Sequence, residues 1–200
     1  MDALSNQQLN QFREHAAAYV EFNEAEWIVC IQHLSILKLK KKEHFIEPGQ
    51  VCKTLGFVLS GSVRYYHIID GKDITNYFSF ENDYVSSYKS FLTGEPSISY
   101  IQALEPTTIL TVSKKNWDAM LNNPMLAYKI ERFGRLLAEY YLICYEDRVT
   151  AFITQTPEER YLKLLESGKD IIRRMPQHYI ANFLGITPVS LSRIRKRILV

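Results

Sequence analysis

The sequence predicts an α+β fold: an N-terminal, jelly-roll-like β-roll, one long helix, and a compact helical C-terminus. Three observations carry this expectation. Short runs rich in Val, Ile, Tyr and Phe, punctuated by glycine turns, fill residues 36–113. Leu126, Ile130, Phe133, Leu137, Tyr140 and Cys144 recur at alternating spacings of four and three. Residues 169–200 hold seven basic side chains and one acid, a net +6, whereas residues 1–168 sum to −4.

The bounds are ordinary. With 200 residues, 46% apolar and 23% charged, the chain buries a core without cross-links and is not disordered. Its 3 cysteines, Cys30, Cys52 and Cys144, are too few and too scattered for a disulfide framework or an iron–sulfur cluster. The 5 histidines (15, 33, 44, 67 and 178) have no metal-ligand spacing, so no metal is expected. His67 and Cys52 are the residues a haem would use, and both fit plain strand positions. No cofactor is expected. The polar start MDALSNQQLN lacks a signal-peptide apolar run, and no stretch nears a membrane span, so a cytoplasmic chain without membrane contact is expected.

Residues 5–19 read as a helix with Leu9, Phe12 and Ala16 near one face. Asn23 with Glu26 forms a capping box for a second, short helix running to about Leu34. Texture then changes to alternation. Pro48-Gly49 and Gly61 mark turns, and Asp70-Gly71 is a two-residue hairpin signal because both residues tolerate positive φ. YIQALEPTTILTVS adds a strand pair. A long helix opens at Asn123-Pro124, and its 126–144 stripe reads as an a/d seam for a homodimer. Thr156-Pro157-Glu158-Glu159 caps the next helix, which stops near Gly168. The expected domains are therefore a roll with N-terminal helices (1–122), a dimerisation helix (123–153) and a C-terminal domain (154–200).

MPQHYIANFLGITPVSLSRIRKRI is the most informative stretch. Ile180, Ala181 and Leu184 give one helix an apolar face, small Ala181 admits a close neighbour, and Gly185 allows a left-handed turn. Ile186 plugs the turn. Thr187 caps the next helix, Pro188 opens it, and Leu191, Ile194 and Ile198 face inward. Thr187, Pro188, Val189, Ser190, Ser192, Arg193, Arg195, Lys196 and Arg197 are left at the outer face. A helix-turn-helix presents its recognition helix in this way, with double-stranded DNA as the partner.

The order of roll, long helix and helix-turn-helix resembles the Crp/Fnr superfamily of bacterial transcription regulators across essentially the whole chain. Its carriers are Glu47-Pro48-Gly49, FVLSGSVRYY (57–66), Asp70-Gly71-Lys72, Asn123-Pro124 and IANFLGITPVSLSRIRKRI (180–198), the last closest to Bacteroidetes-like members. The resemblance implies a homodimer that regulates transcription, contacts RNA polymerase and senses a small-molecule effector. It also implies where a cyclic nucleotide would bind, and there the sequence departs. Ser86 and Ser87 fall at the Gly-Glu positions of nucleotide-binding members, and Ser97 and Ile98 at the Arg-Ser positions. A cyclic phosphate needs a fixed cation or clustered amides to replace its water shell. The expected pocket lining of Tyr84, Ser86, Ser87, Lys89, Ser97, Ser99 and Tyr141 suits a neutral or weakly polar molecule, with Lys89 the one cation able to swing inward. In the recognition helix, Pro188 and Val189 stand where an Arg-Glu pair occurs elsewhere, so the operator should differ.

No GxSxG, Walker loop or HExxH is present, so an enzyme is not expected. The alternative is an effector- or partner-binding roll module without DNA-regulatory activity.

Overall fold

The computed structural model of the chain describes residues 4–198. The first three residues of the expected 1–122 range and the last two of 154–200 lie outside the described residues. Two capped helices come first. In α1 (Asn6–Ala16) the Ser5 hydroxyl accepts the Gln8 amide while the Gln8 side chain accepts from the Ser5 amide. In α2 (Glu24–Ile31) Asn23 and Glu26 exchange the same pair of bonds, which satisfies helix-end amides that otherwise lack partners.

The roll follows: β1 (Leu34–Leu39), β2 (His44–Ile46), β3 (Thr54–Ser60), β4 (Val63–Ile69), β5 (Lys72–Ser79), β6 (Tyr84–Val85), α3 (Tyr88–Thr93), β7 (Tyr100–Ala103), β8 (Thr107–Ser113) and α4 (Lys114–Leu121). One sheet has the order β1-β8-β3-β6 and the other β2-β7-β4-β5. β8 is the spine of the first, antiparallel to β1 from Leu34↔Val112 to Leu39↔Thr107 and to β3 from Thr54↔Ser113. Asp70 and Gly71 have φ of 50° and 73°, the paired positive φ whose twist matches a β-hairpin. Gly61 has φ 91°, and a Cβ there would sit 2.6 Å from Thr107 Oγ1. Conformation and space both demand glycine at that turn.

Beyond the roll lie α5 (Ala127–Thr154), α6 (Pro157–Ser167), α7 (Lys169–Arg174), α8 (Gln177–Phe183) and α9 (Pro188–Ile198). Thr156 and Glu159 form the expected capping box of α6, with Pro157 in its first turn. Among the described residues no helix is long and apolar enough to cross a membrane. The chain divides into two compact units, one of residues up to Arg64 plus Ser79–Tyr141, the other of Tyr65–Phe78 plus the residues from Leu142 onward. α5 runs through the division.

The core of the first unit corrects the expected dimer seam. Leu126, Ile130, Phe133 and Leu137 are buried inside a single protomer, in one cluster with Phe57, Tyr84, Trp27 and Met120. Phe133 meets Tyr19 and Tyr84 edge-on, with ring centres 5.5 Å apart in each case, a favoured aromatic geometry. Leu137 is 1% exposed and has no surface left to offer a partner. A 4–3 stripe reports that a helix face is buried, not what buries it. Only Tyr140 and Cys144 of the six keep solvent exposure. A different stripe is open: Leu142, Tyr145, Val149 and Ile153 are all exposed, Ile153 by 77%. At about 100° per residue they lie roughly 80–160° around α5 from Leu137.

Candidate nucleic-acid interface and effector pocket

α8 and α9 are joined by the turn that the sequence predicts. Ala181 is fully buried, and its carbonyl accepts the Ile186 amide at 2.9 Å, which pins the turn to the first helix. Gly185 has φ 69°, and a Cβ there would lie 2.7 Å from the Phe152 ring. The Thr187 hydroxyl accepts the Ser190 amide at 3.1 Å, capping α9. Leu191 and Ile194 are buried, and Ile198 is half-buried.

Inward burial fixes what is presented outward. Thr187, Pro188, Val189, Ser192, Arg193, Lys196 and Arg197 are exposed, while Ser190 and Arg195 are half-buried. Arg197 is not wholly available, because its guanidinium pairs with Glu158 at the start of α6 at 2.6 Å. Both groups are solvated, so the pair is weak and exchangeable. Arg193, Arg195 and Lys196 make no ion pair among the described residues. The result is a convex cationic helix whose first turn is apolar and hydroxylic. Such a surface could contact phosphates broadly, with Arg193 the best group for a bidentate base contact.

The expected effector residues do not form one lining. Tyr84 belongs to the core: its ring lies 5.4 Å from that of Phe57 and 5.5 Å from that of Phe133, and its buried hydroxyl has no hydrogen-bond partner. Burial pushes that phenol's pKa far above its ordinary value. Tyr141 packs against the same core and donates its hydroxyl to the Tyr84 carbonyl at 2.9 Å. Ser86 donates to the Thr54 carbonyl at 3.0 Å. Ser97 Oγ lies 2.9 Å from both Ser87 Oγ and the Ser99 carbonyl, so these three serines do converge, closed on one another. Lys89 is exposed and pairs with Glu95 at 2.8 Å, rather than turning inward. Cys52 is buried and directs its Sγ at the Thr54 carbonyl, 3.3 Å away.

One buried cation escaped the sequence reading. Arg64 is 5% exposed, and its Nε and Nη2 donate to Gln102 Oε1 at 3.1 and 2.9 Å. A lone basic residue inside the strand VRYYHII was the signal, because such a group folds inward only with hydrogen-bond partners in place. Apolar rings instead line the cavity of about 40 Å³ in the first unit, against Phe12, Phe22, Trp117 and Phe133. Cys30 beside it has its thiol pushed up to about 12 by burial, which leaves it inert. No group of three metal-ligating side chains occurs among the described residues.

The geometry agrees with what comparison finds. Residues 36–123 match the cyclic nucleotide-binding domain family. The Xanthomonas campestris CLP, described as a c-di-GMP-responsive global regulator, superposes with TM-score 0.67 at 14% identity, covering 86% of this chain and 89% of that one. FixK2 from Bradyrhizobium japonicum gives 0.63 at 20% identity, covering 82% and 84%. A CooA mutant from Carboxydothermus hydrogenoformans gives 0.62 at 18% identity, covering 98% and 84%. No curated protein matches the chain. Residues 36–123 of the roll are thus similar in sequence to cyclic nucleotide-binding domains. The chain shares its fold with these superposed proteins: an α+β roll followed by a long helix and C-terminal helices.

Proposed function

We propose that the chain is a sequence-specific, DNA-binding transcriptional regulator of the Crp/Fnr type that acts as a homodimer. Residues 1–122 serve as sensor, 123–153 as dimerisation helix and 154–200 as DNA-binding domain. The observation that carries this reading is the α8–turn–α9 unit: capped by Thr187, turned at Gly185 and presenting Arg193, Arg195 and Lys196 without counter-ions among the described residues. The matched domain and the regulators sharing the fold are regulatory, not enzymatic, which supports the same conclusion. The exposed stripe Leu142, Tyr145, Val149 and Ile153 is the surface assigned to the second copy, and it replaces the seam that the core consumes.

Arg193→Ala is expected to weaken binding to a selected operator by about 1–3 kcal/mol, through loss of a base contact. Lys196→Ala is expected to weaken all sequences alike and to flatten the salt dependence by about one unit of slope. Band shifts on genomic fragments at several salt concentrations measure both. Unchanged binding in both variants would leave the roll as a module without DNA-regulatory activity.

Cyclic AMP is not the effector in this reading. Ser97 is buried against Ser87 and Ser99, Ile98 is exposed, and Lys89 is held by Glu95 at the surface. None of them offers a phosphate the fixed positive charge it needs. Calorimetry with cyclic AMP and cyclic GMP should give no binding heat, and micromolar affinity for either would reverse the assignment.

A further inference from the structure

The second unit contains a cavity of about 190 Å³ bounded by the end of α5, α6 and the end of α8. None of the outward residues of α9 lines it. Its polar side is cationic. The Arg148 guanidinium lies 4.0 Å from the ring centre of Phe183 and 5.0 Å from that of Phe152, and donates to the Phe183 carbonyl at 2.8 Å. Arg160 lies 4.6 Å from the Phe152 centre and donates to the carbonyls of Gln155 and Leu184 at 2.6 and 3.0 Å. Neither guanidinium meets a carboxylate among the described residues. Lys163 adds a third positive charge to the lining, against the single carboxylate of Asp147.

Three features show that this arrangement is incomplete. The Arg160 Nε–H is buried without an acceptor, and Gln155 Oε1, of another residue lining the cavity, is buried without a donor. Burial lowers the pKa of Arg148, against the opposing influence of Tyr77 and Tyr145 and with a smaller lowering from the charge of Arg160. Cations brought together out of water need a counter-charge to offset the lost hydration. Phe152, Leu164 and Leu184 supply an apolar surface across the same space. A ligand fitting both sides has an anionic head and an apolar body.

We propose that this cavity binds a small organic anion, its carboxylate or phosphate head held by Arg148 and Arg160 and its apolar body resting on Phe152 and Leu164. Arginine is suited to this because its fork of donors serves a carbonyl and an anion together. The occupant would be held by α5, α6 and α8 at once. The site is separate from the serine cluster of the roll and does not depend on the DNA-binding reading.

Calorimetry on the full chain with benzoate, phenyl phosphate and neutral benzamide tests it. One of the anions is expected to bind with a Kd below about 1 mM, and benzamide about tenfold more weakly or not at all. Arg160→Met keeps the stem over Phe152 but removes the charge, and should weaken the anion about tenfold or more. Ala151→Phe keeps both arginines and fills the space, so it should abolish binding even where Arg160→Met fails to fold. Benzamide binding as tightly as the anions would reduce the site to an apolar hole and overturn the proposal. So would failure of both anions to bind at about 10 mM, or anion affinity unchanged in either folded variant.

Discussion

Val149→Glu is expected to turn the proposed dimer into a monomer. The residue sits in the middle of the exposed stripe formed with Leu142, Tyr145 and Ile153. In a two-fold interface a residue near the axis faces its own copy, so the substitution buries two like charges against each other. Sedimentation should report a single protomer mass. Operator affinity should fall by about two orders of magnitude, because two half-sites about 34 Å apart are then no longer engaged by one molecule. The stripe is solvated within the protomer, so circular dichroism and thermal unfolding at high dilution should change little. A variant that still sediments as a dimer would move the interface off this face.

Leu137→Ala is expected to do the opposite. Leu137 is buried in the cluster with Ile130 and Phe133, so truncation removes transfer free energy and leaves a cavity, costing about 2–5 kcal/mol. For a chain of this size that lowers the melting temperature by roughly 5–15 °C. Association should be intact at temperatures where the variant is folded. Loss of the dimer without loss of stability would return Leu137 to the interface. The two substitutions lie twelve residues apart on one helix, and their effects separate folding from assembly.

That separation marks where the sequence was legible. Caps and turns were readable because each depends on local chemistry: Asn23 with Glu26, Thr156 with Glu159, Asp70-Gly71 and Gly185 occur where their spacing places them. The α8–α9 pair was readable for the same reason, since Ala181, Gly185 and Thr187 act within a few residues of one another. The face of α5 was not. Leu126 through Leu137 are apolar whether a roll or a second copy covers them, and only tertiary contact decides. Short α7 buries none of its residues, so it left no periodic signal, and α4 was passed over between the last strand and Asn123. The serines misled in another way. Hydroxyl groups facing a presumed pocket look like ligand donors, yet Ser86 and Ser97 have their bonding taken up by the roll's own carbonyls. Arg148 and Arg160 lie in different helices and are brought together only by folding.

α9 divides its labour by face. Leu191, Ile194, the Thr187 cap and Pro188 at the first helical position settle its pose, while Val189, Ser192 and Arg193 make no contribution to that pose beyond being tolerated at the surface. Substitution at the outer positions therefore leaves the scaffold energetically indifferent, and surface changes of this kind usually move stability by less than about 0.5 kcal/mol. Under the proposed DNA-binding role, selection could rewrite the preferred binding sequence one base pair at a time, without passing through an unstable intermediate protein. Duplicated copies of such a gene would be free to acquire separate regulons while keeping one architecture.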